Sequence, residues 1–166
     1  MIISKGLSTR FLIKTINGEN ILKFLTGIDK PINRSPQDVW RYFTESNNWS
    51  KWYGGKLVKV DPKWEEGGKL IWESGRPSII KSIVPLKEIT LEDPTWNIIT
   101  KWIFRDLKEG VFIEVEEDFN KTKPGSEVEW RQGWQSILVK LKQCLETDLI
   151  APIKETTRKS PWWKFW

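Results

Sequence analysis

Trp130, Trp134, Ile137, Leu138, Leu141 and Leu145 fall at i, i+4, i+7, i+8, i+11 and i+15. That spacing follows the 3.6-residue turn and puts one apolar stripe along a helix of about six turns. Glu129, Gln132, Lys140, Gln143 and Glu146 lie off the stripe. A stripe this long needs one continuous apolar surface to cover it. Gly133 interrupts the helix at a cost of about 1 kcal/mol relative to Ala. Close approach of the helix to a sheet, or room for a ligand beside it, would account for it.

The surface is legible as short strands. Candidates are 56–61, 68–74, 78–84, 86–92, 95–104 and 110–119, broken at Asp61-Pro62, Gly67-Gly68, Gly75, Pro85, Asp93-Pro94 and Glu109-Gly110. Trp96, Ile98, Thr100, Trp102 and Phe104 share one face of the fifth. Val111, Ile113, Val115, Glu117 and Phe119 share one face of the last. Such period-2 alternation suits an antiparallel sheet with one covered and one wet face. Upstream, Asn17-Gly18 tolerates the positive φ of a tight hairpin and would join strands near 8–16 and 20–29. Ser35 is a good N-cap, Pro36 suits the first helical position, and Asp38 complements the helix dipole. A helix over 36–46 follows, then a short helical turn with Trp49 and Trp52, stopped by Gly54-Gly55.

Composition narrows the chemistry. The chain of 166 residues has no His and one Cys, Cys144. Ser-His-Asp triads, Cys-His dyads, common zinc sites and internal disulfides are therefore excluded within it. Cys144 reads as a packed, inert thiol beside the stripe. Gly67-Gly68 is not a phosphate loop, because it precedes a strand and no Gly-Lys-Ser/Thr follows. No cofactor or metal is expected. The net charge of +5 divides into +4 for residues 1–34, −1 for 35–147 and +2 for 148–166. The body is near neutral, so no nucleic-acid partner is expected. No apolar run is long enough for a transmembrane helix, and the opening MIISKGLSTR lacks signal-peptide order. A cytoplasmic location is the expectation.

Four segments in order resemble one family. Ser35-Pro36-Gln37-Asp38-Val39-Trp40 looks like an "S-P-E-x-V-W" helix opening, and Gly67-Gly68-Lys69 like a glycine turn before the third strand. Ile83 to Ile89 is similar in flavour to a "G-x-V-x-E-I-x-P" region. Gly133 to Lys142 resembles a closing "G-W-x-x-x-L-x-x-L-K" helix. Together they resemble the START/Bet v 1-like (SRPBCC) superfamily, and within it homologues of the heat-shock-protein-90 ATPase activator C-terminal domain. The resemblance implies an α+β helix-grip fold, a curved antiparallel sheet wrapped around a long C-terminal helix. Residues 1–19 add a hairpin strand before it, 20–147 form the domain, and 148–166 are a linker and Trp-rich tail.

The same resemblance implies a cavity between sheet and helix. Trp72, Trp102, Trp130, Trp134 and Leu138 would point into it by their periodicity, and Trp40, Phe43, Trp49 and Trp52 could close one end. The first reading of these rings is filled core, since each buries about 150–250 Å². Buried indole N–H groups need acceptors, however, and a Leu, Ile and Val core avoids that need. Glu117 would orient a polar ligand head or act as an acid if its face is covered; at a strand end it would sit near water.

Trp162, Trp163, Phe165 and Trp166 close the chain beside Lys164. Three readings stand for them: packing on the domain, docking a protein partner as hot-spot anchors, or weak contact with a membrane interface. The function expected is a non-enzymatic binding module for a small hydrophobic ligand, or one in a chaperone-type protein interaction. The alternatives are a cyclase or hydrolase in the same cavity, using Glu117, Asp118 or Tyr53, and peripheral membrane association through the tail. No catalytic residue is assigned.

Overall fold

The computed structural model describes residues 10–16, 19–119 and 126–148. The order is β1 (Arg10–Ile16), β2 (Glu19–Gly27), α1 (Pro36–Thr44), α2 (Ser46–Trp52), β3 (Leu57–Asp61), β4 (Lys69–Trp72), β5 (Pro77–Val84), β6 (Glu88–Asp93), β7 (Ile98–Leu107), β8 (Gly110–Phe119) and α3 (Glu127–Asp148). The strands form one sheet in the order β1-β2-β8-β7-β6-β5-β4-β3, antiparallel throughout. β2 lies second from one edge and β3 forms the opposite edge, so the segment carrying α1 and α2 crosses between them. This is the α+β helix-grip arrangement, with β1 as an added N-terminal hairpin strand.

Local signals set these boundaries. Ile16 pairs with Glu19, while Asn17-Gly18, expected to form the hairpin turn, lies outside the described residues. Ser35 Oγ accepts the Asp38 N–H at 3.1 Å, with Pro36 in the first turn. Gly54, at φ 82°, stops the chain just after α2. Ser126 caps α3: its hydroxyl accepts the Glu129 N–H at 3.2 Å, and the Glu129 carboxylate accepts the Ser126 N–H at 2.8 Å. This reciprocal capping box satisfies two otherwise free donors.

Gly67 and Gly68 divide the work of their turn. Gly67 takes φ 83°, the left-handed region. Gly68 is the close approach: a Cβ there would overlap the Lys63 carbonyl oxygen.

The two sheet faces separate as the alternation requires. β8 alternates strictly, burying Val111, Ile113, Val115, Glu117 and Phe119. Ile98, Thr100, Trp102 and Phe104 of β7 lie on the same inner face. The outer face carries ion pairs, among them Lys23–Glu116 at 2.7 Å, Lys81–Glu92 at 2.9 Å and Lys101–Glu88 at 3.4 Å. α3 turns Trp134, Leu138, Leu141 and Leu145 inward, with Trp130 and Ile137 half-buried beside them.

Two expectations are corrected. Trp96 does not share the inner face of β7. The Asp93 carboxylate accepts the N–H groups of Thr95 and Trp96, at 2.8 and 3.2 Å, and Asn97 adopts φ 53°. The chain therefore turns until Ile98, leaving Trp96 half exposed with Arg76 over its ring at 5.5 Å. Gly133 makes no close approach: it is exposed, and a Cβ there would meet nothing within 4 Å.

Candidate functional site

Glu117 lies near the end of β8 but not near water. Its position in the alternation turns the side chain inward, and it is 4% exposed. Thr100, its cross-strand partner on β7, donates to Oε1 at 3.1 Å. Two indoles of α3 donate to Oε2: Trp130 at 2.5 Å and Trp134 at 2.8 Å. Residues 130 and 134 stand one turn apart on one helix face, which is why both reach the same oxygen. Among the described residues no lysine or arginine pairs with this carboxylate. Burial pushes its pKa up to about 7, against the opposing pull of the three donors.

Beside this clasp the aromatic side chains gather. Trp49 of α2 is the hub. Its ring lies 4.7 Å from Trp52, 5.3 Å from Tyr53, 5.7 Å from Phe43, 5.9 Å from Trp72 and 6.0 Å from both Trp64 and Trp102, centroid to centroid. Tyr53 stacks on Trp72 at 5.1 Å. Trp102 reaches Trp134 at 5.4 Å, joining the cluster to the Glu117 clasp. Edge-to-face and offset contacts of this kind contribute about 0.5–1.5 kcal/mol beyond the area they bury.

The structure thus brings together Phe43, Trp49, Trp52, Trp72, Trp102, Trp134 and, at the Glu117 end, Trp130. Leu138 is buried one turn beyond Trp134. Trp40 stands to the side, half-buried, with its ring on Phe104 at 5.5 Å. The tail residues Trp162, Trp163, Phe165 and Trp166 lie outside the described residues.

The indole N–H groups divide into two sets. Trp49 donates to the Phe43 carbonyl at 2.6 Å, Trp72 to Ser78 Oγ at 2.8 Å, and Trp130 and Trp134 to Glu117. Trp52, Trp64 and Trp102 have buried Nε1 atoms with no acceptor in hydrogen-bonding distance.

Trp64 escapes sequence reasoning because it lies in the β3–β4 loop, where no periodicity marks a buried face. Tyr53, weighed only as a proton donor, is a stacking partner. It keeps some exposure, and burial of its phenol, then Glu117 and Asp93, push its pKa up.

A separate cluster ties down the end of α3. Lys51 and the Tyr42 hydroxyl both donate to the Asp148 carboxylate, at 2.7 and 3.1 Å. The half-buried Cys144 Sγ lies 3.9 Å from the Lys51 carbonyl. Among the described residues no group of three Cys, Asp or Glu could hold a metal ion, and no helix is long and apolar enough to cross a membrane.

A sheet closed over one long helix, with aromatic rings between, defines a START/Bet v 1-like helix-grip domain. The family model described as "Activator of Hsp90 ATPase homolog 1-like protein" matches residues 33–146, more than half of the chain. The chain belongs to that family. Its fold is similar to CalU16 from Micromonospora echinospora, with TM-score 0.65, 17% identity, and 88% of this chain and 90% of that one covered. It is also similar to the conserved protein of unknown function EF2215 from Enterococcus faecalis, with TM-score 0.63, 19% identity, and 87% and 82% covered. The AHSA1-like protein from Aeromonas hydrophila follows at TM-score 0.61, 11% identity, and 79% and 95% covered. At these identities the likeness concerns the fold alone. No curated protein sequence matches the chain.

Proposed function

We propose that this domain is a non-enzymatic binding module, holding a small hydrophobic ligand between α2, α3 and the inner face of the sheet. The observation that carries the reading is the gathering of Phe43, Trp49, Trp52, Tyr53, Trp64, Trp72 and Trp102 in one cluster, joined through Trp134 to a buried carboxylate. A core built only for stability avoids side chains that need buried acceptors. An apolar lining with a few placed polar groups is the usual composition of a ligand site. The family's name adds a chaperone-type interaction as the wider setting, in which the same domain would meet a protein.

Tryptophan fluorescence tests the reading. Titration with neutral flat aromatic compounds and fatty acids should quench the emission saturably for at least one of them. A response absent across the whole panel would mean that the rings are filled core.

A second reading, an enzyme acting on an apolar substrate in the same place, draws support from Glu117. A carboxyl with a pKa of about 7 suits proton transfer near neutral pH. Its two oxygens already accept three donors, which favours a holding role over a reacting one.

A further inference from the structure

We propose that the open edge of β1 is a docking surface for a second copy of this chain, the two β1 strands pairing antiparallel about a two-fold axis at Ile13.

The sheet ends in β1 on one side and in β3 on the other. A strand edge presents a row of unpaired N–H and C=O groups, and proteins blunt it with bulges, charges, proline or a covering element. β3 is blunted in several of these ways. Its register with β4 shifts between Leu57 and Lys59. The Leu57 N–H donates to Ser50 Oγ of α2 at 3.1 Å. Lys59 and Asp61 pair at 3.2 Å, and Pro62 follows. β1 has no such protection. Its seven residues pair with β2 one for one, from Arg10 with Leu25 to Ile16 with Glu19, without a shift. It contains no Pro, Gly, Asp or Glu, and Phe11, Ile13, Thr15 and Ile16 favour extended backbone. Among the described residues no strand lies beyond it. β1 also lies outside residues 33–146, so this edge is no part of the family's matched pattern.

The order of charges along β1 selects a copy of itself as the occupant. Two identical antiparallel strands close around a two-fold axis, and each residue then stands opposite a fixed partner. With the axis at Ile13, Arg10 stands opposite the copy's Ile16, Phe11 opposite its Thr15 and Leu12 opposite its Lys14. All seven residues pair, and no two cations are opposed. With the axis at Leu12, Arg10 would stand opposite the copy's Lys14. With the axis at Lys14, two lysines would stand opposite each other. Like charges in that relation are destabilising. An axis between two residues would set one face of a strand against the other face of its copy. The Ile13 axis instead keeps faces matched. Phe11 and Ile13 fall in the rows of Phe24 and Leu22, on the side of the sheet that carries the core, so the apolar faces of both copies lie on one side.

Sedimentation of the full chain over a dilution series tests the proposal. The mass should rise with concentration from 19.6 kDa toward twice that value. Leu12→Lys opposes cations at two symmetric positions and should weaken association about tenfold. Leu12→Glu meets the copy's Lys14 and should tighten it. Adding Lys14→Glu to Leu12→Lys should restore association, although position 12 still stands beside Lys23 within each copy. A mass fixed at 19.6 kDa at every concentration would overturn the proposal, leaving the edge to an extended segment of another protein. Dimers indifferent to the charge at position 12 would overturn it too, by placing the contact elsewhere. Growth beyond a dimer would exclude the two-fold axis.

Discussion

The Trp134 indole donates to Glu117 Oε2 at 2.8 Å, and this bond joins the long helix to the sheet inside an otherwise apolar interface. Trp130 reinforces it from one turn earlier on the helix, and Thr100 holds the other carboxylate oxygen from the neighbouring strand. A carboxylate buried without a cation is costly, and hydrogen bonds offset only part of that cost. The interface therefore carries a built-in dependence on pH.

Its direction follows from the protonation of Glu117. The folded-state pKa is about 7, above the ordinary 4.5, so the folded protein holds a proton that the unfolded chain releases. The full stability contributed by this group is present below pH 4.5 and is lost as pH rises through about 7. The loss should reach up to about 3 kcal/mol by pH 8. The chain has no histidine to obscure this window. Urea midpoints should fall between pH 5 and pH 8, and Glu117→Gln should flatten the slope. A slope unchanged in the variant would exclude Glu117 as its source.

The helix stripe predicts an asymmetry between neighbours. Leu138 is 1% exposed and Val139 is 50% exposed. Leu138→Ala should cost about 2–5 kcal/mol through lost burial and the cavity left behind. Val139→Ala should stay within about 0.5 kcal/mol. Chemical denaturation of the pair measures both, and equal losses would mean that the helix is turned differently.

Two glycines should respond with opposite signs. Gly68→Ala pushes a methyl group into the Lys63 carbonyl and should lose about 1–3 kcal/mol. Gly133→Ala meets open space in mid-helix and should gain about 0.5–1 kcal/mol. Melting temperatures of the two variants check the signs. A destabilised Gly133→Ala would mean that the helix needs a bare backbone there.

The same residues separate what a sequence makes legible from what it does not. Alternation in β7 and β8 and the stripe of α3 are repeated signals: their periods put Glu117, Thr100 and Trp102 on one face of the strands and Trp134 and Leu138 on one stripe of the helix, and the family resemblance set those two surfaces against each other. Ser35-Pro36 marks a helix start through local chemistry. Trp96 misleads because alternation runs on into a turn that the Asp93 side chain stabilises. Trp64 is silent because a loop has no period. The Glu117 clasp needs the register between β7 and β8 and the seating of α3, both set by packing across the whole domain. Gly133 shows the opposite error, a special reason sought for a residue that simply faces outward.

The N–H signals of the indoles test the central claim most directly. In a 1H–15N correlation spectrum the 12 tryptophans should give twelve side-chain resonances, assignable by single Trp→Phe variants. Saturating the protein with a flat aromatic compound that quenches its emission should move the signals of Trp52 and Trp102 while leaving that of Trp96, half exposed in the β6–β7 turn, in place. Unmoved Trp52 and Trp102 signals, with shifts confined to Trp96 or to none of the twelve, would contradict a ligand seated among these rings.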